Sequence, residues 1–308
     1  MSQPSTFRPP AGDKGSADVD HVLLTRFNLP SAGAESIVRA KDGWLRARIE
    51  LFRRFCLPSV LRQTRQDFKW IIYLDPQSPD WLVSVMDELN CGGTFTPIYR
   101  AEVGRSELLQ DLRSVSGANH RELLTTNLDN DDGLAADFVE RLQAAGSDGT
   151  RSALYLTNGL ITSGSALYIR RDRSNAFCSV REDWEAARTC WSDWHNLLGQ
   201  SMNVRELAGA PAWLQVVHDS NVSNRIRGKR VAPGPYLDAF GSLLDGIDDV
   251  GRLDLMRDVT LERPRRAAVD SGRSLLKKTA MTVVGKEGLD RLKNQWAFRT
   301  ERQPKAEP

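Results

Sequence analysis

The sequence is poor in cysteine. Its four cysteines, Cys56, Cys91, Cys178 and Cys190, are widely scattered, with no C-x-x-C pair and no zinc-type spacing. That excludes a disulfide scaffold and a thiolate-bound structural metal, and the thiols read as buried or incidental groups of a reducing compartment. Long apolar runs are also missing: no stretch approaches the roughly 20 residues that a bilayer core demands. The first 18 residues are rich in Ser, Pro, Gly and charge and lack the apolar centre of a signal peptide. A cytoplasmic location is expected. No G-x-G-x-x-G follows a strand, which removes a Rossmann dehydrogenase. A net charge of only +2 removes a general polyanion binder, so nucleic acid is not an expected partner.

What is present reads as α/β. His21–Phe27 is a short β-favouring run ended by Asn28, Pro30 and Gly33. Helical spacing of Trp44, Leu51 and Phe55 predicts a helix from about Lys41 to Arg54, interrupted at Pro58 and resumed toward Gln63. Phe68–Leu74 is a continuous apolar run closed by Asp75-Pro76, the pattern of a strand covered on both faces. Helices are expected at Trp81–Leu89 and Ser106–Val115, a strand at Arg121–Thr126, and a helix from Leu134 to about Ala144. Such alternation predicts a doubly wound, mostly parallel sheet flanked by helices. Beyond Gly149, Ala153–Leu160 and Ala166–Arg171 read as a small antiparallel element around Thr162–Ser165. A Trp-rich polar stretch (Glu182–Gln200), a further element at Trp213–Val217 and a basic, helical C-terminal tail complete the chain.

The informative cluster is Asp129-Asn130-Asp131-Asp132, directly beyond a predicted strand end. Ligands of open α/β sheets bind at the carboxyl ends of the strands. Side chains of alternate extended residues point the same way, so Asp129 and Asp131 can share one target. Carboxylates this close repel one another unless a cation neutralises them, and hard oxygen ligands favour Mg²⁺ or Mn²⁺ over zinc. The competing reading is a helix N-cap, with Asp132 ahead of Gly133 and Leu134. Asp75 ends a second strand at the same edge, where it could contact a base or ribose; before Pro76 it is equally a turn former.

Several pieces together resemble a known family. Pro58-Ser-Val-Leu-Arg-Gln-Thr64 followed by Phe68–Asp75 looks like the opening of inverting family-2-type glycosyltransferases of the GT-A fold, and Leu128–Asp132 stands where their D-x-D metal motif lies. More narrowly, the chain resembles bacterial rhamnosyltransferases. That likeness is carried by Arg26-Phe27-Asn28, Trp44-Leu45 with Arg48, Leu51-Phe52, Thr125–Asp132, Asn175-x-Phe177-x-Ser179, and Trp213-Leu214 with His218 and Asn221. It spans about residues 21 to 225 and departs at Asn127, where the family carries Arg.

The resemblance implies a GT-A-like domain over 19–235, between a disordered N-terminus (1–18) and a basic helical extension (236–308). It implies transfer of a sugar, rhamnose among the candidates, from a nucleotide-sugar donor to a glycan or lipid-linked acceptor. Arg26, Asn28, Asp75, Asp129 and Asn130 are then expected on the donor. A divalent ion (Mn²⁺ or Mg²⁺) is expected on Asp129 and Asp131, with His218 as a late third ligand. Asp132, His195, Trp213 and Asn221 are expected near the acceptor. Inversion needs a group that takes the acceptor hydroxyl's proton; Glu182 is the first candidate and Asp183 the second, against a plain solvated helix start. Ser274–Val284 suits either an interfacial helix at the inner leaflet or a helix packed on the body. A sugar-nucleotide pyrophosphorylase is disfavoured because the Gly-rich basic loop after the first strand is missing. A metal-dependent phosphoester hydrolase and a non-catalytic nucleotide- or carbohydrate-binding protein remain as alternatives.

Overall fold

The computed structural model describes residues 19–29, 42–218, 225–266 and 268–269. The elements run β1 (Val19–Arg26), α1 (Asp42–Leu51), α2 (Leu57–Leu61), β2 (Lys69–Leu74), α3 (Asp80–Leu89), β3 (Thr96–Tyr99), α4 (Arg105–Ser116), β4 (Glu122–Asn127), β5 (Gly133–Leu134) and α5 (Phe138–Ala144). There follow β6 (Ser152–Leu156), β7 (Asn158–Ser163), β8 (Ala166–Arg171), β9 (Ser179–Asp183), β10 (Asn203–Leu207), β11 (Trp213–Val217), β12 (Lys229–Val231), α6 (Leu237–Phe240) and α7 (Arg252–Arg257). One sheet has the order β10-β6-β9-β4-β1-β2-β3, and a second has the order β12-β8-β7-β11-β5. In the first sheet β9 alone runs against its neighbours. The expected α/β architecture, a mostly parallel central sheet flanked by helices, is therefore what the chain adopts.

Strand alternation explains how one apolar run serves two cores. Leu23, Trp70, Ile72 and Leu124 enter one cluster, while Val22, Leu24, Ile71, Tyr73 and Leu123 enter the cluster on the other face. A third cluster, including Phe55, Leu160, Leu214, Phe240 and Leu243, packs against the second sheet. Phe240, Leu243 and Leu244 are buried in it, so the body of the fold continues past the boundary expected at residue 235. Among the described residues no helix is long and apolar enough to cross a membrane. The N-terminal segment 1–18 and the Ser274–Val284 segment lie outside the described residues.

Three local expectations need correction. Pro58 does not interrupt the first helix, because a π-helical stretch, Phe52–Cys56, bridges α1 and α2. Pro lacks an N–H and its ring crowds the carbonyl four residues back; the wider turn directly ahead of it relieves both. No helix begins at Leu134. Gly133 and Leu134 instead pair antiparallel with Leu214 and Trp213, and the helix starts at Phe138. The Glu182–Gln200 stretch opens as the end of β9, paired with β4 and β6, rather than as a helix. The short strand β3 and the division of Ala153–Leu160 between two sheets were not foreseen either.

The Gln63-Thr64 signature is architectural. Gln63 Nε2 donates to the carbonyls of Ser59 and Ala135, both at 2.8 Å, and its Oε1 accepts the Val139 N–H at 2.9 Å. Thr64 N–H donates to Ala136 O, and its hydroxyl donates to Glu140 at 2.6 Å. A buried amide thus clamps α2 to the segment between the acidic cluster and α5.

Two predictions follow from this packing. A Cβ at Gly159 would lie 2.0 Å from the Trp213 ring, which is itself buried and stacked on Phe177 at 5.1 Å. Gly159→Ala is expected to cost about 3 kcal/mol, the upper range of overpacking, read as a lowered urea midpoint. His21 is buried between Thr126 Oγ1 (2.9 Å) and Gln143 Nε2 (3.3 Å). Burial first, and the Arg181 charge second, push its pKa down to about 3. The unfolded chain takes up this proton near pH 6.5, so stability is full above that pH. It is then lost at about 1.4 kcal/mol per pH unit as pH falls toward 3. His21→Gln should lack this slope in pH-dependent denaturation curves; equal slopes for the two proteins would mean that His21 charges inside the fold.

Candidate functional site

A cavity of about 580 Å³ opens at the carboxyl ends of the parallel strands and extends onto the second sheet. Its size is that of a small-ligand site. Arg26 and Asn127, at the ends of β1 and β4, and Asp129 just beyond form one side. Arg170 of β8, Gln215 of β11 and Arg227 bring in the second sheet, and the loop after β9 contributes Trp191, Trp194 and His195. The ends align because β1 and β4 are in parallel register, Leu24 opposite Asn127.

The first side is wired through Asn127. Its Oδ1 accepts the Trp191 indole N–H at 2.7 Å, and its Nδ2 donates to Ala176 O at 2.9 Å. Trp191 in turn carries the Arg26 guanidinium 3.9 Å above its ring, a cation–π contact that fixes a charge where water would otherwise leave it mobile. At the position where the resembled family has Arg, this chain therefore holds a neutral amide that positions an arginine from the neighbouring strand.

The acidic cluster divides into different duties. Asp129 opens onto the cavity; protein packed around it, and then the Asp131 charge, push its carboxyl above the usual range. Asn130 turns away and donates to Phe27 O at 2.7 Å, pinning the loop to β1 rather than facing a donor. Asp131 is buried and ion-paired with Arg48 of α1, and its Oδ2 lies 3.0 Å from His218 Nε2. Burial opposes its ionisation, but His218 and Arg48 outweigh that and hold it below the usual range. Asp132 caps no helix. It is buried and accepts the Val216 N–H at 2.8 Å, and burial followed by the Asp131 and Asp129 charges raises it far above normal. Mutual repulsion within the cluster is thus relieved largely by an internal arginine and by spread pKa values.

This bears on the expected metal. Among the described residues no three His, Cys, Asp or Glu side chains come together as a metal cradle. Asp131 and His218 do meet, as expected, but they meet over Arg48. The side chain that fits a cation is Asp129, open to the cavity. Mg²⁺ and Mn²⁺ commonly take one or two protein carboxylates together with substrate phosphates and water.

The other expected residues scatter. Glu182 lies at the far end of the sheet, opposite Leu123 near the start of β4. It is buried and held by Arg151 and by the N–H groups of Arg188 (2.9 Å) and Thr189 (2.7 Å). Asp183 is exposed there and paired with Arg121 at 3.0 Å. Neither reaches the cavity, so neither is carried forward as the base. Asn28 and Asp75 do come together at the ends of β1 and β2: Asn28 Oδ1 accepts the Asp75 N–H at 3.1 Å, while Asp75 Oδ1 accepts the Gln77 N–H at 2.8 Å. Trp213 shows an edge to the cavity but is consumed by its core stack and by its N–H to Leu156 O at 2.8 Å. Asn221 lies outside the described residues.

His195 reaches the cavity with a defined orientation. Its Nδ1 is 2.6 Å from Ser174 O; a carbonyl can only accept, so Nδ1 carries a proton and Nε2 is the ring nitrogen left for other partners. Sequence reasoning missed Arg48, Trp191 as the support of Arg26, and the arginines of the second sheet.

The chain matches solved structures at low identity. A nucleotide-diphospho-sugar transferase, titled putative, from Desulfovibrio desulfuricans G20 shows 10% identity and a TM-score of 0.34, over 66% of this chain and 83% of that one. S. aureus TarS 1-349 in complex with UDP shows 10% identity and a TM-score of 0.37, over 80% and 71%. The inositol-1-phosphate CTP transferase from T. maritima shows 8% identity and a TM-score of 0.35, over 76% and 99%. No curated protein matches the sequence. The profile of the family described as "Putative rhamnosyl transferase" matches residues 20–230, which is most of the chain and contains the whole cavity edge; the protein belongs to that family.

Proposed function

We propose that this protein is a glycosyltransferase that moves a sugar, rhamnose being the first to test, from a nucleoside-diphosphate donor to a glycan or lipid-linked acceptor, with inversion. The observation that carries the reading is the cavity itself. A fixed arginine and an open carboxylate stand at the strand ends, and an oriented imidazole belongs to the same space. The donor's diphosphate lies toward Arg26 and Asp129, and its nucleoside along the ends of β1 and β2, where Asp75 stands. A divalent ion arriving with the donor on Asp129 would act as a Lewis acid on the leaving diphosphate. Arg26, held over Trp191, offsets the charge that grows on the phosphate oxygens as the glycosidic bond breaks, and it does so without having to reorganise. His195 Nε2 takes the proton of the attacking acceptor hydroxyl, since Ser174 O keeps the Nδ1 proton in place.

The hydrolase alternative would need a water in place of the acceptor, and the breadth of the cavity favours a second sugar. The binding-protein alternative is separated by turnover. Thermal unfolding with dTDP, UDP, GDP and CMP, with and without Mn²⁺, tests the donor site. One nucleoside diphosphate at about 100 times its Kd should add about 2.7 kcal/mol. Asp129→Ala should lose the Mn²⁺-dependent part of this and keep the fold, whereas Asp131 is unsuitable because its removal strands Arg48. If no nucleotide stabilises the protein under either condition, the glycosyltransferase reading falls. With the donor identified, His195→Gln should lower kcat about 10²- to 10⁴-fold while nucleotide affinity is unchanged, measured as nucleoside diphosphate released in the presence of acceptor. An unchanged kcat would remove His195 as the base.

A further inference from the structure

The part of the cavity contributed by the second sheet is built differently from the donor edge. Arg170 of β8 enters it, as do Arg225 and Arg227 on the chain leading into β12. Asp172 meets Arg170 at 2.5 Å, and Asp193 lines the same cavity. None of the three arginines is an isolated charge. Guanidinium forks match the two oxygens of a carboxylate or phosphate, a geometry that the hydroxyls of a neutral sugar do not provide.

A second observation concerns Trp194. Its side chain lines the same cavity yet is 74% exposed. Every other described tryptophan is buried or half-buried. Leaving an indole in water forgoes burial of a large apolar surface, and the flat, apolar face of a pyranose is a chemical match for it.

We propose that the acceptor is an anionic saccharide whose ring lies on Trp194 and whose carboxylate or phosphate is gripped by Arg170, Arg225 and Arg227. This rests on the glycosyltransferase reading for the word acceptor, since it assigns the diphosphate of the donor to Arg26 and Asp129 at the other edge. The charge of the ligand does not rest on that reading.

The test is a titration of the full-length protein, with and without a saturating nucleoside diphosphate, with three probes: a neutral glucose disaccharide, the same disaccharide ending in glucuronate, and the same disaccharide carrying a phosphate. At least one charged probe should bind ten times or more tighter than the neutral one, with the advantage shrinking as salt is raised. Whether glucuronate or phosphate binds better identifies the anion. Replacing both Arg225→Gln and Arg227→Gln should abolish the preference while nucleoside diphosphate binding is retained, which also reports that the variant is folded. Trp194→Ala should weaken all three probes about tenfold, with Trp194→Phe restoring most of the loss. Equal binding of neutral and charged probes would overturn the proposal. So would a double variant that loses the nucleotide instead of the charged sugar, because the arginines would then serve the donor. If the wild-type protein binds no nucleotide but still prefers the charged probes, the proposed function fails and the anionic site stands.

Discussion

Arg48, Asp131 and His218 come from three distant parts of the chain, a helix, a loop and a strand end, and meet at one carboxylate. A buried carboxylate needs partners or it stays protonated, and breaking such a group by removing one partner is far costlier than its net contribution. The contact therefore constrains what surrounds it. α1 must lie against the loop that follows β4, and β11 must end at that same loop. The pairing of β5 with β11 and the Asp132 contact to Val216 N–H satisfy the second requirement. With these fixed, the second sheet is set beside the strand ends of the first, and a cavity shared by both sheets results. The 87-residue separation between Asp131 and His218 becomes a 3.0 Å contact through sheet geometry, not through any local motif.

Much of the fold was legible because it is written in periodicity. His21–Phe27 read as a β-favouring run and Phe68–Leu74 as a strand covered on both faces, and α3 and α4 announced themselves by helical spacing. What was illegible depends on partners far away in sequence. Gly133-Leu134 became a strand because Trp213-Leu214 lies opposite, and β9 has a charged, Trp-rich continuation that masks its buried residues. The edge strand β3, four residues long, carries too little pattern to separate it from a loop. At the site, Asp129 was legible from its place beyond a strand end. Spacing alone could not distribute the cluster among its duties, because the distinction between Asp129, Asp131 and Asp132 is made by Arg48, His218 and a backbone N–H. Glu182 illustrates the converse: its position after an Asn-x-Phe-x-Ser stretch suggested chemistry, yet the antiparallel run of β9 carries it to the wrong end of the sheet.

The departure at Asn127 takes on a physical meaning in this setting. An arginine there would put its charge at the end of β4 on a long, mobile side chain. The amide instead orients an indole, and the indole orients Arg26 from β1. Charge is delivered to the same edge by a stiffer route, because the ring and the amide lose little freedom when they lock.

The widened turn ahead of Pro58 changes the phase of a helix in mid-course. Phe52 and Cys56 face the core beneath the first sheet, while Phe55, between them, enters the core of the second. One continuous rod is thus keyed into both halves of the molecule, like a pin through two plates. Sliding of one sheet across the other would have to unseat a buried aromatic ring. The strand ends of both sheets that line the cavity are thereby held at a fixed spacing.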